Sequence, residues 1–201
     1  MFTGIVQDVG RILALERLGG DTRVTVGVDR LDLSRAAIGD SIAVAGVCLT
    51  AVALEARAFS ADVSRETLTI TTIGDWRVGQ PVNLEPALRA GDALGGHLMS
   101  GHIDGVAEVR ARLGEARSQR FLMRVPEALA RYLARKGSVA LDGVSLTVNA
   151  VERQEFEVNL VPHTLAVSTL GELAVGDRAN LEVDLIARYV ERLAEFSNPV
   201  Q

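Results

Sequence analysis

Thiols are almost missing from this chain. Cys48 is the single cysteine in 201 residues, which excludes an intrachain disulfide framework. Aromatic residues make up only 4%, so the core has to be built mainly from Val, Leu, Ile and Ala. Histidine is scarce too: His97, His102 and His163 are the three present. The first two fall in "GGHLMSGHIDG", without a companion cysteine or an H-x-x-x-H spacing, so no metal is expected there. No run of about eighteen apolar residues occurs, and no membrane span is expected. No lysine- or arginine-rich stripe occurs, and the net charge is -5, so a nucleic-acid partner is not expected. No G-x-G-x-x-G follows a strand-like segment, which removes a Rossmann dinucleotide domain. The opening "MFTGIVQD" lacks the basic and apolar regions of a secretion signal, and a cytoplasmic protein is the expectation.

What the chain does contain is itself, twice. "GVCLT" (Gly46–Thr50) returns as "GVSLT" (Gly143–Thr147), 97 residues later. The same offset sets Gly4 on Gly101, Phe59 on Phe156, Thr67-Leu68 on Thr164-Leu165 and "VNLE" (Val82–Glu85) on "ANLE" (Ala179–Glu182). One register holds without a gap, which short chance matches would not do. Two copies are too few for a solenoid, so two similar compact lobes are expected, with a boundary near Leu88–Ser100.

Each copy reads as strands. "RVTVGV", "SIAVAGV" and "LTAVAL" alternate or run β-branched, and glycines punctuate them. Short strands at this spacing predict a small closed antiparallel barrel per lobe, which also removes exposed strand edges. The spacing predicts one helix over Pro126–Gly137, from proline to glycine, and a counterpart over Asp29–Asp40. The tail has no counterpart. "DLIARYVERLAEF" sets Leu185, Ile186, Tyr189, Val190 and Leu193 on one apolar stripe. A helix this short is marginal alone, so its stripe has to be covered, either by its own lobe or by equivalent helices in an oligomer.

The residues alone leave the chemistry open. Cys48 sits in an apolar strand, where cysteine is often plain packing. Ser145 lacks the G-x-S-x-G setting of an exposed nucleophile. His102 falls on Ile5 in the repeat, which hints that one lobe uses that position polarly. Polar residues that break the strand pattern are better leads: Asp62 and Asn159, Thr67 and Thr164, Lys136 and Asp184. Repeated polar positions would hold similar small molecules, and unrepeated ones would make the lobes differ.

"MFTGIV", the "GVCLT"/"GVSLT" pair, "GGHLMSGHIDG", "SRETL", "YLARKGSVALDGVSLTV" and "DLIARYVERL" together resemble the riboflavin synthases of the alpha-subunit type, across essentially the whole chain. The resemblance implies an all-β fold of two six-stranded Greek-key barrels followed by a C-terminal helix, divided as residues 1–97, 98–185 and 186–201. It implies a dismutation of two 6,7-dimethyl-8-ribityllumazine molecules by transfer of a four-carbon unit, giving riboflavin and 5-amino-6-(D-ribitylamino)uracil, with no metal or redox cofactor. It implies a homotrimer, with the reacting pair between the N-lobe of one subunit and the C-lobe of a neighbour. A further partner of such proteins is lumazine synthase.

Carried over position by position, the first lumazine pocket would use Gly4, Ile5 and Val6, then Cys48, Leu49 and Thr50, then Asp62, Val63, Ser64, Arg65, Glu66 and Thr67. The second would use Gly101, His102 and Ile103, then Lys136, then Ser145, Leu146 and Thr147, then Asn159, Leu160, Val161, Pro162, His163 and Thr164. The family places Ser41, Cys48, His102, Ser145, Thr147 and Asp184 near the chemistry. His102 and Thr147 are the candidates for proton transfer, and Ser41, Cys48 or Ser145 for adduct formation; the division among them stays open. Ala45 departs from the family pattern, where asparagine is common, and its counterpart here is Asp142. A changed turn hydrogen bond is expected. The competing readings are a lumazine or flavin binder without activity and a flavin reductase.

Overall fold

The fold is taken from a computed structural model that describes residues 1–197. The last four positions of the expected tail, 198–201, lie outside the described residues. The first lobe contains β1 (Asp8–Leu18), β2 (Asp21–Gly27), β3 (Ser41–Val44), β4 (Val47–Glu55), β5 (Ala58–Val63), the helix α1 (Arg65–Ile70) and β6 (Pro81–Pro86). The second contains β7 (Gly105–Glu115), β8 (Ser118–Arg124), α2 (Glu127–Ala130), β9 (Ser138–Leu141), β10 (Val144–Glu152), β11 (Glu155–Leu160), α3 (Pro162–Val167) and β12 (Arg178–Val183). α4 (Leu185–Ser197) follows. Each set of strands closes into an antiparallel barrel, in the order β1-β2-β5-β4-β3-β6 and the matching order in the second lobe. The two expected six-stranded barrels and the terminal helix are therefore present.

The repeat extends to detail that the residue matches do not show. β4 and β10 bury the same alternate positions, with Val47, Leu49 and Ala51 inward in one and Val144, Leu146 and Val148 in the other. The ladders slip at Ile12/Ala14 and Ala51/Ala53, and again at Val109/Ala111 and Val148/Ala150, so the bulges that curl each sheet keep the 97-residue register. The two-residue turn Ala45-Gly46 joins β3 to β4 with φ of 46° and 80°, and Asp142-Gly143 joins β9 to β10 with 44° and 78°. Positive φ at both positions suits the twist of a tight hairpin. The two turns pack back to back. A Cβ on Gly46 would lie 2.7 Å from the Gly143 nitrogen, so neither glycine can be replaced without moving the lobes apart.

Around this contact the lobes exchange hydrogen bonds in pairs. Asn83 gives its amide to the Asp142 carbonyl and accepts from the Thr169 N–H; Asn180 does the same with Ala45 and Thr72. One bond has no twin. The Asp142 carboxylate accepts the Asn180 N–H at 2.7 Å, and Ala45 has no side chain to do likewise for Asn83. Between the two copies, this is the turn bond that Ala45 forgoes.

Two apolar cores fill the barrel interiors, and a smaller cluster of Phe2, Met99, Ala43 and Ala140 sits between them. The long helix expected over Pro126–Gly137 is not formed. After α2 the chain tightens, with Tyr132 and Leu133 donating three residues back, and Lys136 turns to φ 68° to give its N–H to Val148 at 2.7 Å. The segment has to rejoin the ladder at Ser138, which leaves no room for three helical turns. The equivalent stretch of the first lobe holds a single 3₁₀ turn, Leu33–Arg35, and Gly39 donates to Ala51 in the same way.

α4 is tied down by its polar side. Arg188 pairs with Asp104 and donates to the His102 carbonyl, while Glu191 accepts from Arg131 and Tyr132. Of its expected apolar stripe, Leu185 is half-buried, while Ile186, Tyr189, Val190 and Leu193, with Phe196 beyond them, are 59–71% exposed.

Candidate active site

The N-terminal segments of the two lobes cross. Glu85 in β6 accepts the N–H groups of Thr3 and Gly4, at 2.7 and 2.9 Å. The Gly4 carbonyl then accepts the Ser145 N–H of the other lobe at 2.9 Å. The second copy repeats the arrangement. Glu182 in β12 grips Ser100 and Gly101, and the Gly101 carbonyl accepts the Cys48 N–H at 2.9 Å. Burial raises the carboxyl pKa of both Glu85 and Glu182, against the pull of the bonds they accept. Ile103 accordingly lies in the first core, and Val6 packs on the second. This corrects the grouping expected from the sequence. Gly4, Ile5 and Val6 accompany Ser145, and Gly101, His102 and Ile103 accompany Cys48.

The strands place the remaining candidates on the outer faces of the barrels. Ser41 pairs with Thr50 across β3 and β4, and Cys48 lies two residues along on the same face. Leu49 and Val63 point the other way, into the core, as do Leu146 and Leu160 in the second lobe. Their side chains are therefore spent on packing, and only their backbones can reach a ligand. Asp62 is exposed, and Arg23, across from it on β2, grips both carboxylate oxygens at 2.7 and 2.9 Å. That hydrogen-bonded pairing lowers the Asp62 pKa. Its counterpart Asn159 faces Arg120, which is drawn instead to Glu115 and Glu157, and the Asn159 Oδ1 is buried with no hydrogen-bond partner.

At the end of each face sits a short helix. Ser64 caps α1 by accepting the Thr67 N–H at 3.3 Å, and Arg65 and Glu66 fill its exposed first turn. α3 starts at Pro162 after Val161, with His163 exposed and Thr164 half-buried. Lys136 and Thr147 are exposed. His102 is exposed beside the Cys48 strand. Asp184 caps α4, accepting the Ile186 N–H at 3.0 Å.

A cavity of about 350 Å³ opens elsewhere, between the lobes, lined by Thr72, Trp76, Asp142, Thr169 and Arg178 among others. None of the expected site residues lines it. The polar candidates of the strands lie instead on open outer faces of the barrels.

Two stretches of the chain, residues 3–87 and 100–184, match the lumazine binding domain, and their bounds differ by the same 97 residues as the repeat. The chain is 48% identical over 199 residues to the riboflavin synthase of Photobacterium phosphoreum, covering 99% of this chain and 91% of that protein. It is 46% identical over 201 residues to the riboflavin synthase of Brucella abortus, covering 98% and 99%. The chain belongs to the riboflavin synthase family. Among solved structures, LumP complexed with riboflavin superposes with a TM-score of 0.84 at 26% identity, over 91% of this chain and 99% of that one.

For a riboflavin synthase family member, one residue beside the pockets escaped the sequence reading. His97 Nδ1 lies 2.7 Å from Ser145 Oγ. Its spacing in the sequence speaks only against a metal, and it has no partner in the repeat. The available signal was its place after Gly95-Gly96, two glycines together in an unrepeated linker, where the backbone can press against a neighbour.

Proposed function

We propose that this protein catalyses the riboflavin synthase reaction. Two molecules of 6,7-dimethyl-8-ribityllumazine exchange a four-carbon unit and leave as riboflavin and 5-amino-6-(D-ribitylamino)uracil. The observation that carries this reading is the full-length kinship to riboflavin synthases together with two complete lumazine-binding lobes in one register. The two products contain every atom of two substrates, so the net reaction needs no oxidant or reductant.

The residues have two tasks. The lumazine C7 methyl group is acidic because its carbanion delocalises into the ring, and a polar group or water has to take that proton. The second ring has to be held, activated by a nucleophile, and presented to the carbanion; fixing both rings removes much of the entropic cost of their meeting. We assign the first ring to the face of Ser41, Cys48, Thr50, Asp62 and Thr67 with His102, and the second to the face of Lys136, Ser145, Thr147, Asn159 and Thr164. His102 and Thr147 are the proton-transfer candidates, Ser41, Cys48 and Ser145 assist the adduct, and Asp184 lies close by. Hydrogen bonds to developing ring charge supply further stabilisation.

Each pocket is an open face, and a second such face is needed to sandwich the rings. We infer that a neighbouring subunit provides it, in a homotrimer whose α4 helices bury their stripes together. The units are residues 1–97, 98–185 and 186–201. No helix among the described residues is long and apolar enough to cross a membrane, and we place the protein in the cytoplasm.

The test is direct. Purified protein and the lumazine are mixed without any added cofactor, and riboflavin is followed by absorbance. Steady riboflavin formation is expected. Tight lumazine binding without turnover would sink the reading and leave a binding protein.

A further inference from the structure

Cys48 and Ser145 are partners in the repeat, yet the chain surrounds them differently. Each is pressed from one side by a crossed-over glycine. A Cβ on Gly101 would lie 2.6 Å from Cys48 Cβ, and one on Gly4 would lie 2.5 Å from Ser145 Cβ. Ser145 has a second wall, made by a segment the repeat does not duplicate. The unrepeated linker passes over it so closely that a Cβ on Gly96 would sit 2.1 Å from the Thr3 carbonyl oxygen and 3.0 Å from Ser145 Oγ. His97 gives its N–H to that same carbonyl at 3.1 Å and sets its Nδ1 2.7 Å from Ser145 Oγ. His97 has no counterpart 97 positions earlier, so the repeat itself supplies Cys48 with no equivalent imidazole.

The ring of His97 is half-buried, and its Nε2 is buried with no hydrogen-bond partner. Burial lowers its pKa and Asp184 pulls the other way, the burial being the larger effect, so the surroundings favour the neutral imidazole. A neutral imidazole has one donor and one acceptor nitrogen, and the nitrogen facing Ser145 is committed to its hydroxyl. The other buried side-chain atom without a partner among the described residues is Asn159 Oδ1, in the lobe of Ser145. Buried polar atoms usually have a partner, whether a protein group, an ordered water or a ligand.

We propose that His97 is a positioning residue for Ser145: it locks the Ser145 hydroxyl into one orientation toward the second-lobe ring, and so makes two equivalent pockets chemically unequal. The inference rests on the lumazine reading above. The glycines Gly4 and Gly96 leave the serine little space, and the His97 hydrogen bond selects among the orientations that remain. The first lobe keeps its thiol without this constraint, and two identical substrates meet two different environments.

The experiment is a mutant cycle in the full chain, read by steady-state riboflavin formation and by lumazine binding. His97→Ala is expected to lower kcat about fivefold to tenfold, the loss of one well-placed hydrogen bond, with KM within about twofold. Added to Ser145→Ala, it is expected to cost nothing more, because the group it positions is gone. His97→Asn, whose amide reaches the place of Nδ1, is expected to restore kcat to within about threefold of the parent. If His97→Ala does not fold, His97→Phe takes its place and fills the same space without a nitrogen. Equal losses from the His97 substitution with and without Ser145 would overturn the proposal, as would a His97→Asn enzyme as slow as His97→Ala. A parent protein that makes no riboflavin refutes the functional reading instead, before any variant is compared.

Discussion

Asp142 is buried at the lobe contact, and burial pushes its pKa up to about 7, against the single Asn180 N–H it accepts. In the unfolded chain the group returns to 3.8. The folded protein therefore holds this proton more tightly than the unfolded one. The stabilisation is fully present below about pH 4 and is lost as pH rises through about 7. A shift of about three pKa units corresponds to about 4 kcal/mol between those limits. Asp142→Asn removes the titration and little else. The amide keeps an oxygen for the Asn180 N–H, and asparagine tolerates the φ of 44°. At pH 5, partway down this fall, the variant is expected to exceed the parent by about 1–2 kcal/mol; at pH 8.5 it should exceed it by about 4 kcal/mol. Urea unfolding at both pH values, followed by the fluorescence of the buried Trp76, measures the difference. Protein concentration has to be held fixed, since assembly adds to apparent stability. Glu85 and Glu182 titrate in both proteins and cancel in the comparison. Stability curves that stay parallel from pH 5 to 8.5 would refute the reasoning.

Three other outcomes are expected. Gly101→Ala puts a Cβ on a residue at φ 76°, 2.6 Å from Cys48 Cβ; thermal unfolding should show a loss of about 1–3 kcal/mol, and parental stability would mean the crossing is not tight. His102→Ala should reduce turnover more than lumazine binding at the first lobe, and equal turnover in variant and parent would remove His102 from the chemistry. Truncation beginning at Ile186 spares Asp184 and removes the α4 stripe; light scattering should then report monomers, and a persisting trimer would defeat the helix-assembly proposal.

The barrels were legible because register is legible. Gly46 and Gly143, Phe59 and Phe156, Glu85 and Glu182 each do the same structural work in both copies. The offset that joins them therefore foretold two equal folds; the bulges, which no residue match announced, keep the same register. The crossing of the segments at Gly4 and Gly101 was not legible. The offset pairs these glycines whether each lies on its own lobe or on the other, since the same backbone bonds and apolar contacts are made either way. The helix over Pro126–Gly137 was overread because propensity carries no knowledge of the Lys136–Val148 bond that bends the chain back. His97 was passed over for a related reason. Its meaning depends on a serine 48 residues away, and pattern within "GGHLMSGH" cannot show that contact.

The central claim is that two like lobes serve two like substrates. The measurement that tests it most directly is stoichiometry: chromatographic analysis of a reaction containing only the protein, buffer and 6,7-dimethyl-8-ribityllumazine. The account predicts two lumazines consumed for each riboflavin and each 5-amino-6-(D-ribitylamino)uracil released. Riboflavin formed without an equal amount of the uracil, or no riboflavin from lumazine alone, would contradict it.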